Sequence, residues 1–564
     1  MRFQRILQIP LFGLFLLLLW LAAFPLATWL EVDFFLRLDP LISIGSMITA
    51  RSLIPRVAWA LLIVGAALIL GRFFCGYLCP MGATIDFTDW LFRRKRKGNS
   101  GNSFEKAGQW RGVKYLLLVF VLASCVVGIS TVFLFSPLSL ITRFYSFVLY
   151  PVLLMLTNLF LDTLRPVFPH LGLDGLAFVH FTVPRFNTNL FVAALILSIV
   201  LFGLLQPRFW CRKLCPAGAI LALFGKRPLI QRAVSEDCNE CGRCVRSCPM
   251  AAIGEDYIKT AHSECIVCLK CREICPEGAV SFGIGKKHIA PAPEIDMDRR
   301  KILGAGVTGI AAAAVTLTSL DHLHGGTNPR PLRDTRLIRP PGALPEPQFQ
   351  ARCVRCGECM KGCLTNTLQP VWFEAGISGI WSPRITARLA GCEQNCNVCG
   401  HLCPTGAIRP LELEEKICAK VGTARIIKSR CIAWEKGQKC LICDEICPYN
   451  AISSQFAPGH TITLPVVDEN KCNGCGYCET KCPVMGESAI LVEPTGELRL
   501  ASGSYREKAR ELGLVFHAKA SVEDHFILDG PSQVKERSPS DPKDPQEGGL
   551  PPGFIPEGIS KNSP

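Results

Sequence analysis

Six times in this chain four cysteines fall close together. The groups are Cys238, Cys241, Cys244 and Cys248; Cys265, Cys268, Cys271 and Cys275; Cys353, Cys356, Cys359 and Cys363; Cys392, Cys396, Cys399 and Cys403; Cys431, Cys440, Cys443 and Cys447; and Cys472, Cys475, Cys478 and Cys482. The first, second and last read C-x2-C-x2-C-x3-C-P. That run is the ligand pattern of bacterial ferredoxins, in which three thiolates bind one [4Fe–4S] cube and the fourth binds a neighbouring cube. Up to six cubes are expected, held by compact α+β ferredoxin units. The other three groups are looser: one opens with x3, one with x8, and one has Leu364 in place of proline. Disulfides suit a short secreted chain, not cysteines this tightly spaced. Structural zinc favours two separated cysteine pairs, often with histidine, and the 10 histidines are scattered. No C-x-x-C-H occurs, so covalent c-type haem is not expected on this chain.

At 564 residues one compact domain is not expected, and the apolar residues are bunched. Residues 9–30, 115–135 and 186–206 run without a charge, each about the length that a bilayer core of ~30 Å demands. Residues 57–74 are interrupted only by Arg72, whose side chain is expected to snorkel. Residues 302–320 form a fifth candidate and 144–161 a sixth. Basic residues mark cytoplasmic flanks: Arg2 and Arg5; LFRRKRKGN with Lys106, Arg111 and Lys114; and Arg208, Arg212, Lys213, Lys226, Arg227 and Arg232. Both long basic stretches lie inside only if 144–161, with prolines at 137, 151, 166 and 169, is interfacial or re-entrant. Five spans, N-terminus in and C-terminus out, are therefore favoured over six. The net charge of +14 follows from these stretches. No basic patch on a recognition fold is read, and nucleic acid is not an expected partner.

Residues 297–320 open on Met297 and Arg299-Arg300, followed by a weakly apolar run. This reads as a twin-arginine export signal; an ordinary signal anchor is the alternative. Cubes are generally built in the cytoplasm, so a domain that holds them must cross already folded. The match Gly304-x-Gly306-x-x-Gly309 lacks the strand that a dinucleotide site needs and is read as accidental. Met297 stands where a separate exported protein would begin, so the chain reads as two proteins joined.

Two further cysteine pairs, Cys75 with Cys79 and Cys211 with Cys215, share the form C-x3-C-P, each after an aromatic, basic lead-in and before a small-residue exit. In the five-span topology they face the same side. Together they are candidates for a seventh cube, another metal or a redox dithiol. Cys125 and Cys418 read as packing residues. Asp86, Asp89, His170 and His180 are candidate acceptors of quinol protons, against the reading that they are solvated loop residues.

The membrane half, with FCGYLCPMG, RFWCRKLCPAGA and a trailing two-cluster ferredoxin, resembles the NapH family of the periplasmic nitrate reductase system. The half from Met297, with its arginine pair, IRPPGA at 338–343 and four cysteine groups, resembles NapG and its MauM relatives. The resemblance implies a multidomain protein of the bacterial inner (cytoplasmic) membrane, multi-pass, with a periplasmic C-terminal domain. It comprises a helical transmembrane anchor (1–235), a cytoplasmic two-cluster ferredoxin (236–285), a signal or transmembrane helix (297–320), an extended linker (321–347), a periplasmic polyferredoxin (348–500) and a disordered tail (530–564). In the cytoplasmic ferredoxin, Cys238, Cys241 and Cys244 are expected to join Cys275, while Cys265, Cys268 and Cys271 join Cys248; pairing in the outer unit is not readable. The implied activity is that of a quinol dehydrogenase module. Its partners would be membrane lipid, the quinol pool and a periplasmic cytochrome c or reductase. The alternative is a redox maturation or assembly factor for a metalloenzyme.

Overall fold

A computed structural model describes residues 2–26, 31–91, 110–166, 168, 170, 175, 178–254, 256–284, 299–317 and 337–516. The basic stretch 92–106, Met297, most of the expected linker and the tail lie outside the described residues.

Among the described residues the main helices of the apolar part are α1 (Arg2–Leu21), α2 (Pro40–Ala50), α3 (Ala60–Leu70), α4 (Phe73–Tyr77), α5 (Pro80–Leu91), α6 (Val113–Val127), α7 (Pro137–Leu164), α8 (Asn189–Leu205), α9 (Pro216–Phe224) and α10 (Arg299–Leu317). Among the described residues, α1 and α7 are long and apolar enough to cross a membrane; α2, α3, α6 and α8 are apolar but shorter. Leu62, Leu159, Phe160, Leu190 and Leu205 lie more than half exposed, a surface that water does not solvate well.

The boundaries differ from those expected, for local reasons. The apolar run 115–135 breaks where Gly128, at φ +100°, caps α6 and donates its N–H to Cys125 O at 3.0 Å. Ser136 then opens α7: its Oγ accepts from Ser139 N at 3.1 Å, and Pro137 takes the first helical position. The stretch 144–161 lies within this 28-residue helix. A π turn over Tyr145–Leu149 precedes Pro151, widening the backbone where proline removes a donor and crowds the preceding turn. Gly304, Gly306 and Gly309 lie within α10. A Cβ on Gly309 would meet Phe120 O at 2.5 Å, so the bare glycine lets α10 lie against α6.

Two ferredoxin parts sit at opposite ends of this bundle. In the inner part, β1 (Gln231–Val234) pairs antiparallel with β2 (Val280–Gly283) and encloses the first two cysteine groups. In the outer part β3 (Leu368–Pro370) pairs with β4 (Pro383–Ile385), β5 (Thr423–Ile426) with β8 (Ile490–Glu493), and β6 (Ile452–Phe456) with β7 (Thr463–Val467), all antiparallel. Helix α1 touches both ends. Gln4 donates to Gly76 O, beside the inner part, at 3.1 Å, and Lys361 of the outer part donates to Leu19 O at 2.5 Å. Fifteen helical residues separate them, about 22 Å.

The outer part also reaches beyond its expected limits. Ile338 bridges to Ile385 and Ala343 to Ile408, so the end of the expected linker is built into it. Tyr505–Glu511 forms a helix against Leu413–Cys418, with Ser504 Oγ donating to Glu415 at 2.6 Å.

Candidate metal centres

The cysteine loops share one backbone device. In four of them the residues just before and just after the second cysteine are both left-handed: Glu240 (φ 54°) and Gly242, Val267 (51°) and Leu269 (60°), Arg355 (49°) and Gly357, Gly474 and Gly476. Such alternation turns successive N–H groups into a concavity suited to an anion. Three residues after the fourth cysteine the chain is left-handed again, at Ala251, Gly278, Asn366, Gly406 and Asn450. Asn366 donates to Cys363 O at 3.1 Å, as Ala251 does to Cys248 O at 3.2 Å. Leu364 therefore leaves the turn intact.

The fourth cysteine of each group crosses to its neighbour. Cys238, Cys241, Cys244 and Cys275 line one cavity (cage 1), and Cys248, Cys265, Cys268 and Cys271 line a second (cage 2). In the outer part Cys447, Cys472, Cys475 and Cys478 line another (cage 5), and Cys431, Cys440, Cys443 and Cys482 a further one (cage 6). The remaining eight divide by electrostatic neighbourhood. Burial pushes the Cys356 and Cys359 thiols well up, and Cys353 and Cys403 add to both shifts (cage 3). Burial likewise raises Cys399, with Cys392, Cys396 and Cys363 adding (cage 4). Among the described residues no three such side chains form a single-ion site, and the cysteines are free thiols.

These cages suit an anionic cluster. Backbone N–H groups of Ala252, Ala424 and Ala451 lie 3.3 Å from the sulfurs of Cys248, Cys472 and Cys447. Buried cations stand beside them: Arg232 reaches Cys244 Sγ at 3.7 Å, and Lys416, which donates to Gln394 O at 3.1 Å, opposes the rise that burial gives the Cys392 thiol. Among the described residues both donate to carbonyl or hydroxyl oxygens and neither pairs with a carboxylate. A buried cation without a counter-charge is costly. Four thiolates around a [4Fe–4S] core supply that charge.

The C-x3-C-P pairs converge in the bundle. Cys75, Cys79, Cys211 and Cys215 are all buried, within electrostatic reach of one another. Two arginines are exchanged across them. Arg72, three residues before Cys75, donates to Cys211 O at 3.0 Å; Arg208, three residues before Cys211, donates to Cys75 O at 3.0 Å. Each holds a carboxylate as well, Arg72 with Glu264 at 2.6 Å and Arg208 with Asp86 at 2.5 Å. Helices α5 and α9 start immediately after the second cysteine of each pair, and Gly218 N lies 3.3 Å from Cys215 Sγ. The small-residue exits have a steric cause: a Cβ on Gly82 would meet Cys75 O at 2.6 Å, and one on Gly218 the Arg72 guanidinium at 2.5 Å.

Several expectations change here. Arg72 does not snorkel; it is fully buried in its pair with Glu264, which Lys114 also holds at 2.5 Å. Asp86 and Asp89 are not solvated loop residues: Asp86 is bound by Arg208 and Gln8, and Asp89 accepts from Arg208 N at 3.1 Å. His170 and His180 are exposed. Cys125 is buried in α6, and Cys418 is half-buried. Sequence reading missed Gln4, Gln8 and Glu264 and took the buried Lys114 for a flanking charge; their partners lie far along the chain.

The centres fall in one file. Tyr77 Oη donates to Val267 O at 2.7 Å, setting cage 2 against the bundle cysteines. At the other end Ser139 Oγ donates to Val354 O at 2.7 Å and Arg143 Nε to Arg355 O at 2.8 Å, seating cage 3 on α7. Cages 3 and 4 exchange cysteines, Cys392 N donates to Cys475 O at 2.7 Å to join cage 4 to cage 5, and cages 5 and 6 exchange cysteines again.

Comparison with known proteins agrees with this chemistry. Residues 53–99, 188–235 and 398–411 match a 4Fe-4S binding domain family, residues 464–490 a second family of that description, and residues 230–276 a 4Fe-4S dicluster domain. The methylamine utilization ferredoxin-type protein MauM of Methylophilus methylotrophus is 37% identical over 199 residues, 34% of this chain and 80% of the relative. MauM of Methylorubrum extorquens is 35% identical over 203 residues, 35% of this chain and 89% of the relative. The ferredoxin-type protein NapG of Escherichia coli is 35% identical over 175 residues, 29% of this chain and 73% of the relative. Over that part of its length the chain belongs to the family of MauM and NapG ferredoxin-type proteins.

Proposed function

We propose that this membrane-associated iron–sulfur electron-transfer protein is a transmembrane relay, taking electrons from quinol and passing them to a periplasmic cytochrome c or reductase. The observation that carries the reading is the run of adjoining cages in two parts, with four buried cysteines in the bundle that joins them. In this reading the first two cages form a cytoplasmic ferredoxin within a NapH-like membrane half. Helix α10 is the export signal of the joined outer half. A [4Fe–4S] cube in each cage supplies one-electron chemistry. The 24 cysteines hold the cubes in the six cages assigned above, loop N–H groups stabilise the thiolates, and the apolar walls of Ile426, Ile432, Val484 and Ile490 keep water from cage 6. Cys75, Cys79, Cys211 and Cys215 hold a seventh cube that spans the gap between cages 2 and 3.

Menaquinol added anaerobically to the oxidised, detergent-solubilised full chain is expected to bleach the cluster absorbance within seconds. Bleaching by a reduced soluble ferredoxin but not by menaquinol would replace quinol as donor. Failure of both, with a partner enzyme inactive in the chain's absence, would favour the maturation role.

A further inference from the structure

Where cage 3 meets the bundle, two arginines lie buried together. Arg143 of α7 is 1% exposed and Arg355, inside the first cysteine loop of the outer part, is 2% exposed. Arg143 donates to Arg355 O at 2.8 Å, to Phe133 O at 3.3 Å and to Ser139 Oγ at 3.2 Å. Arg355 donates to Ser130 O at 3.2 Å, Cys353 O at 2.8 Å and Ser378 O at 2.5 Å. Every one of these acceptors is a neutral oxygen, and among the described residues neither guanidinium pairs with a carboxylate. The Arg143 guanidinium lies 4.9 Å over the Trp381 ring and that of Arg355 4.3 Å over Phe133, contacts that favour cations without neutralising them. Arg72, Arg208, Arg339 and Arg37, buried elsewhere, each hold a carboxylate. Two like charges this deep call for an anion: Cys356 and Cys353 act on Arg143, and Cys353, with Glu346 beyond it, acts on Arg355.

We propose that Arg143 and Arg355 are the counter-charges of cage 3 and make its cluster the electron acceptor of the crossing step. The inference rests on the reading that cage 3 holds a cube. A cube with four thiolates carries a net charge of about −2 when oxidised and about −3 after taking one electron. The donor is the reduced centre at Cys75, Cys79, Cys211 and Cys215, which loses that electron. No proton moves, because the two guanidiniums stay charged and stabilise the added charge in a dry site. Arg143 belongs to the bundle and Arg355 to the ferredoxin loop, so the two positioning charges act fully only when the two are docked.

The test uses the full chain, with iron counted and cluster midpoints followed by EPR-monitored redox titration. Cys356→Ser comes first and is expected to remove one cluster; an unchanged iron content sinks the reading of cage 3 and the inference with it. In Arg143→Gln and in Arg355→Gln one midpoint is expected to move to more negative potential while the others stay, and Arg143→Lys is expected to restore most of the shift. Full iron content with no midpoint moved in either glutamine variant overturns the inference alone. If both glutamine variants lose one cluster, retention of it in Arg143→Lys upholds the need for charge, and its loss there overturns it.

Discussion

Arg208 has no exposed surface and its whole fork is engaged: Nε and one terminal nitrogen hold Asp86, the other the Cys75 carbonyl. Arg208→Met would strand Asp86 without its counter-charge, at a cost of about 3–5 kcal/mol, read as a lower thermal midpoint of the solubilised chain. Adding Asp86→Leu should recover most of that loss; a double variant no better than the single would show that the pair is not the cause. His262 poses the opposite case. Its imidazole is 6% exposed, and burial first, then Arg232, holds its pKa down at about 4. The unfolded chain, with an ordinary value near 6.5, takes up the proton earlier as pH falls. The stability tied to neutral His262 is thus complete above about pH 6.5 and is lost on the way down to about pH 4, roughly 3 kcal/mol in all. Denaturant titrations of the inner part at pH 7.5 and 5.5 should differ accordingly, and His262→Gln should flatten the difference.

The elements were partly legible in the sequence. Ligand spacing is local, so the six groups and the crossing of the first pair could be read directly. The outer crossings could not, because four groups follow one another there and spacing does not say which two are paired. Hydropathy marked the apolar runs but not their ends. Gly128 divides one, and the π turn before Pro151 carries another through the proline that argued against it. Hydropathy also counts arginine as an edge residue, which hid Arg72 and Arg208 as parts of the interior. The loops contain a further feature invisible to spacing: Val267 is β-branched yet left-handed at φ 51°, a conformation that costs about 1–2 kcal/mol. Val267→Gly should therefore stabilise the inner part by about 1 kcal/mol in chemical denaturation. Equal or lower stability would mean that the valine side chain contributes more by packing than its backbone loses.

For the whole molecule, the file of cages has two free ends. Cys241 in cage 1 is exposed, and cage 6 lies beside Met485, which is 90% exposed. Two cages lie in one part and four in the other, and the four bundle cysteines stand in the helices that join the parts. If they hold the bridging centre, Cys79→Ser with Cys215→Ser should cut the relay without touching either end. A reductant confined to a large soluble carrier, acting at cage 1, would then reduce about two clusters and leave the outer four oxidised; in the parent chain it would reduce them all. Full reduction of the double variant would mean that electrons bypass the bundle cysteines.

The exchanged arginines also bear on how the chain comes to be made. Arg72 finds its carbonyl partner 139 residues later and its carboxylate, Glu264, 192 residues later. A ribosome adding about 5–20 residues per second needs roughly 10 to 40 s to supply that carboxylate. For that interval Arg72 is without its carboxylate, and neither half-site can close without the other. If the four bundle cysteines hold an iron–sulfur centre, its loading waits until both segments are in place, which makes the centre a checkpoint on complete assembly.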